Sequence, residues 1–348
     1  MQGDKIKVGI IGLGNIAQNE HIPAFKKRDD VEILAVCDIN ENRAKTVAES
    51  NDIKYAVKNV NDLLNINGLD AVSICSWSAA HAEAAIAAAN SGKHILCEKP
   101  MAGNVAEAQA MLNAARDNKI IFMMGFVNRF RPESKCIKKM ADAGSFGEIY
   151  YSKTGWLRRR GAPLGWYTNK SKSSGGPVID IGVHVIDLTW YFMGKPKPVS
   201  VSATAYRKIS NYDAVGVERW KAFDADNICD TEDSAAGLIR FENGSSMSFE
   251  VSWAINGKES GIYSNIYGSK AGATLFPLTI YDEKENYLMD STPVIANEDI
   301  FYNEISHFIE CVKSGTQPIS PAEDGLTIQK ILNGIYESAE SGKEILLF

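Results

Sequence analysis

Basic charge, ordered cysteines and long apolar runs are all scarce in this chain, and each scarcity removes a class of protein. Its 37 lysines and arginines face 43 acids, for a formal charge of −6, so the basic surplus that gathers nucleic acid is missing. The 6 cysteines, at positions 37, 75, 97, 136, 229 and 311, are scattered and form no C-x-x-C. That spacing excludes a zinc ribbon or a disulfide framework and fits a reducing compartment. No apolar run is long enough to span a bilayer, and Met1 to Gly9 holds no secretory core. The expectation is a cytoplasmic protein with neither a membrane nor a nucleic acid as partner. Internal repeats and low-complexity stretches are also missing. With 348 residues, 45% hydrophobic and 23% charged, the chain has the make-up of an ordinary globular protein and the length for two domains.

What is present is concentrated first in Lys7 to Asp38. An apolar, β-branched run, Val8 to Ile11, reads as a buried strand. Gly12, Gly14 and Ala17 follow in the spacing G-x-G-x-x-G/A, a helix-compatible stretch continues to Phe25, and a second apolar run, Val31 to Cys37, ends at Asp38. Gly12 permits the tight turn, Gly14 lets backbone approach a pyrophosphate, and Ala17 allows close helix packing. The helix start offers N–H groups to phosphates. Asp38 falls about 20 residues on, where a carboxylate meets ribose hydroxyls. A bare strand-to-helix turn is the alternative, but strand, helix, second strand and acid in order favour a nicotinamide dinucleotide site. Its candidate residues are Gly12, Gly14, Asn15, Ile16 and Asp38.

Strands and helices then alternate. Leu69 to Cys75, His94 to Cys97 and Ile120 to Met124 read as strands; Glu41 to Ser50, Asn61 to Leu64, Ala80 to Ser91 and Asn104 to Asn118 read as helices. Alternation of this kind predicts a doubly wound parallel sheet with ligands beyond the strands' carboxyl ends. Ser76, Trp77 and His81 after one strand, Glu98 and Lys99 after the next, and Asn128 after the last are therefore cofactor-side candidates. From Phe146 onward long strand-like stretches succeed one another, with Glu242-Asn243-Gly244 as a hairpin turn, and Asn303 to Lys313 and Ile328 to Ser341 read as helices. The expected organisation is a dinucleotide-binding domain, 1–126, and an α+β domain, 127–348, with a mostly antiparallel sheet.

Two constellations bear chemistry. Lys99 ends a strand at the cofactor crevice, where an ammonium could polarise a substrate oxygen; the other reading is a surface lysine before a helix-starting proline. Asp180, His184 and Asp187 have helical i, i+4, i+7 spacing and would project together. An imidazole beside a carboxylate suits general acid–base work; the alternative is a capping acid and a core histidine. Arg158 to Gly176, rich in Gly, Ser and basic residues, reads as a solvated loop or a substrate-side lid, with Trp166 as a substrate contact. His21 has a weaker claim, and His94 and His307 read as structural.

The motifs VGIIGLGNIA, AVCD, ILCEKPMA, GFVNRFRP and GGPVIDIGVHVIDLTWYFMG, with the terminal PAEDGLTIQKILNGIYESAESGKEI, together resemble the glucose–fructose oxidoreductase/inositol dehydrogenase (Gfo/Idh/MocA) family over nearly the whole chain. The resemblance implies a Rossmann domain followed by an open, mostly antiparallel sheet through which homodimers or homotetramers form. It implies NAD(P), NAD before NADP, exchanging hydride with a hydroxyl-bearing carbon of a sugar, cyclitol or related polyol. Lys99, Asp180 and His184 match the family's catalytic set, His184 moving the hydroxyl proton while Lys99 and Asp180 position the substrate. Glu98 matches a residue near the nicotinamide ribose, and Asn128 and Arg129 match a segment facing the nicotinamide, with Arg129 also a substrate contact. Ser76-Trp77-Ser78 departs from the family's usual Thr-Pro-Asn. An NAD-using glycosidase and a non-catalytic dinucleotide and sugar sensor are the alternatives within the resemblance.

Overall fold

The computed structural model describes residues 5–209, 212, 228–258 and 260–347. Packing divides the chain into one unit of Met1–Val127 with Asp299–Gln329 and a second of Asn128–Glu298 with Lys330–Phe348.

In the first unit, strands β1 (Ile6–Ile11), β2 (Val31–Cys37), β3 (Tyr55–Val57), β4 (Ala71–Ile74), β5 (His94–Glu98) and β6 (Phe122–Gly125) form one sheet in the order β3-β2-β1-β4-β5-β6. Every pairing in it is parallel. Connecting helices are α1 (Ile22–Lys26), α2 (Glu41–Asn51), α3 (Val60–Leu64), α4 (His81–Asn90) and α5 (Val105–Asp117). Strands covered on both faces need continuous apolar runs, and Val8, Ile10, Val36, Val72, Ile74 and Leu96 are wholly buried. The Asn40 and Asn104 side chains cap α2 and α5 by accepting from the amides of Arg43 and Glu107, meeting donors the helices leave unpaired. Strand order reverses between β1 and β4, which opens the crevice at their carboxyl ends.

Among its described residues the second unit has α6 (Pro132–Asp142), α7 (Lys170–Ser173), α8 (Val183–Phe192) and nine strands. The strands are β7 (Ile149–Leu157), β8 (Pro198–Tyr206), β9 (Ser234–Phe241), β10 (Ser246–Ser252), β11 (Gly261–Gly268), β12 (Gly272–Leu275), β13 (Thr279–Lys284), β14 (Tyr287–Ser291) and β15 (Ile345–Leu346). Their order is β14-β13-β12-β11-β7-β10-β9-β8-β15. Among the described residues β7 and β10 form its parallel pair and the other pairings are antiparallel. This is the expected fold class: a doubly wound α/β sheet plus an α+β sheet with mostly antiparallel strands. Ile137 of α6, Leu188 and Phe192 of α8, and Ile266, Leu275 and Ile280 of the sheet share one core.

Helix α9 (Ile300–Ser314) returns to the first unit, and α10 (Ala322–Ser341) begins earlier than its apolar pattern predicts. Pro321 and the first-turn acids Glu323 and Asp324 supply that start, because proline tolerates the first turn and acids favour its dipole end. The returning segment is anchored through polar groups. Met124 and Ser320 exchange bonds, the Met124 amide to the Ser320 carbonyl at 2.7 Å and the Ser320 hydroxyl to the Met124 carbonyl at 2.8 Å. Asp30 accepts from Arg28 and Lys313, and Arg28 also reaches Glu310. The Arg28 guanidinium first, then Lys313, holds the Asp30 carboxyl well below the usual carboxylate range. A depressed carboxylate contributes stability above its unfolded pKa of about 3.9, and that stability is lost as pH falls further. Melting temperature should therefore drop between about pH 4 and pH 2, and drop less steeply in Asp30→Asn; equal slopes in the two proteins would leave the anchor without weight.

Candidate active site

The glycine turn sits at the crevice, and the two glycines answer to different demands. Gly12 has φ +86°, and a Cβ there would stand 2.6 Å from the Ser76 backbone, so the fold itself requires glycine. A Cβ on Gly14 would meet nothing within 4 Å. Packing does not require that glycine; the open space before it fits a phosphate approaching backbone. Gly12, Gly14, Asn15 and Ile16 are partly exposed while Leu13 and Ala17 are buried, so one side of the turn faces solvent and the other packs on the sheet.

Asp38 ties this turn to β2. Its Oδ2 accepts from the Leu13 amide at 2.9 Å and its Oδ1 from the Asn40 amide at 2.8 Å, while Arg43 stands 3.3 Å from both oxygens. Beyond β4, the Ser76 hydroxyl is buried without a hydrogen-bond partner among the described residues. A buried hydroxyl left unpaired costs free energy, so this one fits a site completed by a ligand group. The turn, the open Gly14 and the orphaned Ser76 hydroxyl are together compatible with a dinucleotide. Trp77 next to it is half-buried.

His81 turns inward rather than toward a ligand. It is 1% exposed, with Nδ1 2.8 Å from the Pro100 carbonyl and Nε2 3.0 Å from the Ser76 carbonyl. Burial lowers its pKa against the pull of those carbonyls. Its work is to tie the Ser76 loop to the turn after β5. There Lys99 is the one residue from Ile95 to Ala102 that keeps partial solvent access. Glu98 instead points into the protein, its Oε1 2.9 Å from His21 Nε2 and its Oε2 accepting from the Lys99 amide at 3.3 Å. His94 and His307 accept backbone amides of Ile121 and Ile319, both at 3.0 Å.

His21 is the residue whose importance sequence reasoning missed. It is fully buried, with Nδ1 2.8 Å from Ser73 Oγ. Burial opposes the charged ring, but Cys75 and Glu98 outweigh it and raise the His21 pKa well above the usual value. Its partner Glu98 lies 77 positions away, so no local spacing announces the pair.

In the second unit a π-helical turn, Val178–Gly182, runs directly into α8. Such turns are often found at functional sites. From Pro177 to Trp190, Asp180 and His184 are the residues that keep partial exposure. The Trp253 indole donates to Asp180 Oδ2 at 3.1 Å, and the Trp156 ring lies 6.1 Å from the His184 ring. Asp187 does not project with them. It is 1% exposed and bonds Arg129 at 2.5 and 3.1 Å, since the wider π turn shifts the seven-residue spacing onto the buried face. Arg129 is likewise 1% exposed, its guanidinium also 4.5 Å from the Tyr191 ring. Asn128 Oδ1 accepts from Arg131 Nε at 2.8 Å.

The start of this helix is held by Glu232. Its carboxylate accepts from the amides of Gly176 and Val178 and from the Tyr336 hydroxyl at 2.8 Å, supplying an anion where the helix leaves N–H groups unpaired. Within residues 158–176, hydrogen bonds tie the segment to neighbouring parts of the second unit. The Gly161 amide bonds the Trp253 carbonyl, Thr168 exchanges bonds with Ile228 and Asp230, and the Lys170 amide bonds Asp230. Trp166 stacks on Tyr167 at 3.9 Å and is half-buried.

A glycine turn at the switch point of a parallel sheet defines a dinucleotide-binding class of protein, and the second unit carries Asp180 and His184 on one partly exposed turn. The chain belongs to the Gfo/Idh/MocA oxidoreductase family. Residues 6–126 match its NAD-binding Rossmann fold and residues 138–347 its C-terminal alpha/beta domain. The chain is 35% identical over 356 aligned positions to D-glucoside 3-dehydrogenase of Escherichia coli strain K12, covering 100% of this chain and 99% of that protein. It is 27% identical to myo-inositol 2-dehydrogenase of Thermotoga maritima, covering 92% of each. Its fold matches levoglucosan dehydrogenase solved with NADH and L-sorbose at TM-score 0.87 and 24% identity, covering 99% of this chain and 100% of that one. This is a family of NAD(P)-dependent sugar and cyclitol oxidoreductases.

The two glycines separate folding from binding. Gly14→Ala should keep the parent melting temperature yet bind NADH at least tenfold more weakly by fluorescence titration. Gly12→Ala should lose stability as well, because its added carbon meets backbone. Unimpaired NADH binding by Gly14→Ala would remove the phosphate-approach reading.

Proposed function

We propose that this chain is an NAD-dependent dehydrogenase acting at a hydroxyl-bearing carbon of a sugar, glycoside or cyclitol. The observation that carries the reading is the partial solvent access kept, between Pro177 and Trp190, by Asp180 and His184 alone, with the carboxylate oriented by Trp253. Exposing two polar groups in that stretch serves a ligand better than it serves packing. In this reading bound NAD supplies the hydride acceptor. His184 takes the substrate hydroxyl proton, Asp180 orients the substrate, and the Lys99 ammonium favours negative charge developing on the substrate oxygen. Gly12, Gly14, Asn15 and Ile16 hold the pyrophosphate, Asp38 the adenosine ribose, and Ser76, Trp77 and Asn128 the remainder of the cofactor. Glu98 and His81 support that wall from behind, and Trp166 contacts the substrate. The division of labour is cofactor in residues 1–126 and substrate in 127–348, with copies of the chain pairing through the nine-stranded sheet. Six free cysteines support a reducing, cytoplasmic location, and no helix of the described residues is long and apolar enough to cross a membrane.

The likeness to the glucoside dehydrogenase makes D-glucosides the first substrates to assay, ahead of inositols. Wild-type protein should reduce NAD⁺ with at least one member of such a panel. His184→Ala should lose about 10²–10⁴-fold in kcat, with NADH affinity and melting temperature unchanged. Full turnover in that variant would remove His184 from the chemistry, and NADH binding with no turnover on any sugar by the parent would favour the sensor.

Cofactor choice follows from Asp38, whose charge disfavours a 2′-phosphate, although the neighbouring Arg43 softens that preference. NAD⁺ should bind more tightly than NADP⁺, and Asp38→Ala should narrow the gap. Tighter NADP⁺ binding by the parent protein would reverse the assignment.

A further inference from the structure

Within the first unit three buried side chains from distant parts of the sequence converge: His21 after the glycine turn, Glu98 at the end of β5, and Glu304 on α9. One ligand atom from each lies within 4.8 Å of the others. None of the three faces bulk water, with exposures of 0%, 8% and 0%. Glu304 is the anomaly. Both of its carboxylate oxygens are buried with no hydrogen-bond partner among the described residues, and an unpaired buried carboxyl is among the most costly groups a fold can carry.

We propose that His21, Glu98 and Glu304 form a buried site for a divalent transition-metal ion, zinc being the leading candidate. One imidazole and two carboxylates are a donor set that zinc accepts, with water free to complete a tetrahedron. The surroundings match what a ligating histidine needs. His21 Nδ1 lies 2.8 Å from Ser73 Oγ, so its N–H can be held there and Nε2 presented as the donor, the outer-shell arrangement typical of metal-bound histidine. Charge also balances. A dication offsets the two carboxylates of Glu98 and Glu304.

Burial and then the Glu98 charge raise the Glu304 pKa well above the usual range. The ion would link the returning segment Asp299–Gln329 to β5 and to the first helical turn, giving it a structural role separate from the dehydrogenase chemistry.

The full chain, purified without a polyhistidine tag or chelator, should contain about one equivalent of zinc by mass spectrometry. After chelation, added zinc chloride should raise the melting temperature, and Glu304→Gln, which keeps shape but removes the ligand charge, should neither retain zinc nor respond to it. Should Glu304→Gln fail to fold, His21→Gln gives the same comparison. If wild-type protein holds no zinc and its melting temperature does not respond to zinc or manganese, the proposal is wrong. Glu304 is then a buried neutral acid, and Glu304→Gln should match or exceed wild type in stability.

Discussion

Two backbone segments approach as closely as Gly12 and Ser76 do only when one of them carries no side chain. A Cβ on Gly12 would stand 2.6 Å from both the nitrogen and the Cα of Ser76, so neither could move aside without disturbing β1 or β4. This approach falls where the strand order reverses, and it fixes the floor of the crevice there. The neighbouring groups are built upon it. The Leu13 amide is held by Asp38, the Cys75 amide by Ile11, and the Ser76 carbonyl by His81. His81 in turn reaches Pro100 and so fixes the turn that bears Lys99. A single steric demand is thus passed along hydrogen bonds to three strand ends.

The second unit relies on an electrostatic constraint instead. The helix that bears Asp180 and His184 begins in buried surroundings, where unpaired amides are costly. Glu232 meets them, and burial raises its own pKa although Tyr336 and the amides favour the charged form. Further along, Arg129 and Asp187 are both buried and doubly bonded. Removing either partner of such a pair costs about 3–5 kcal/mol, yet replacing both with well-packed apolar groups is often neutral. Its value therefore lies in fixing the rotation of α8, which leaves Asp180 and His184, and not Asp187, toward solvent.

The parts of this protein that were legible from sequence are those written in local pattern. The run Val8 to Ile11, the glycine spacing and Asp38 announce a dinucleotide fold because turn geometry, phosphate approach and strand burial each restrict residue type at fixed offsets. The alternating apolar runs up to Met124 and the hairpin turn at Gly244 carry the two sheets in the same way. Less legible were short elements and exceptions. Helix α6 and the hairpin β13–β14 have weak or exposed patterns, and the parallel pairing of β7 with β10 depends on chain routing rather than composition. The Asp180–Asp187 spacing misled, because a period of 3.6 was assumed where the chain forms a π turn.

The amino-acid sequence by itself determined the class of fold, the dinucleotide fingerprint and the family, since each rests on residues near one another in the chain. Tertiary structure alone decided which polar groups look outward and which are sealed in. It turned His81, Glu98 and Arg129 toward the interior, left Lys99, Asp180 and His184 partly exposed, and brought Asp299–Gln329 back to the first unit. It also joined His21, Glu98 and Glu304 across 283 positions of sequence (304 minus 21). The physical reason is that burial and charge pairing depend on the whole packed surface around a side chain. Local spacing constrains only the backbone that carries it.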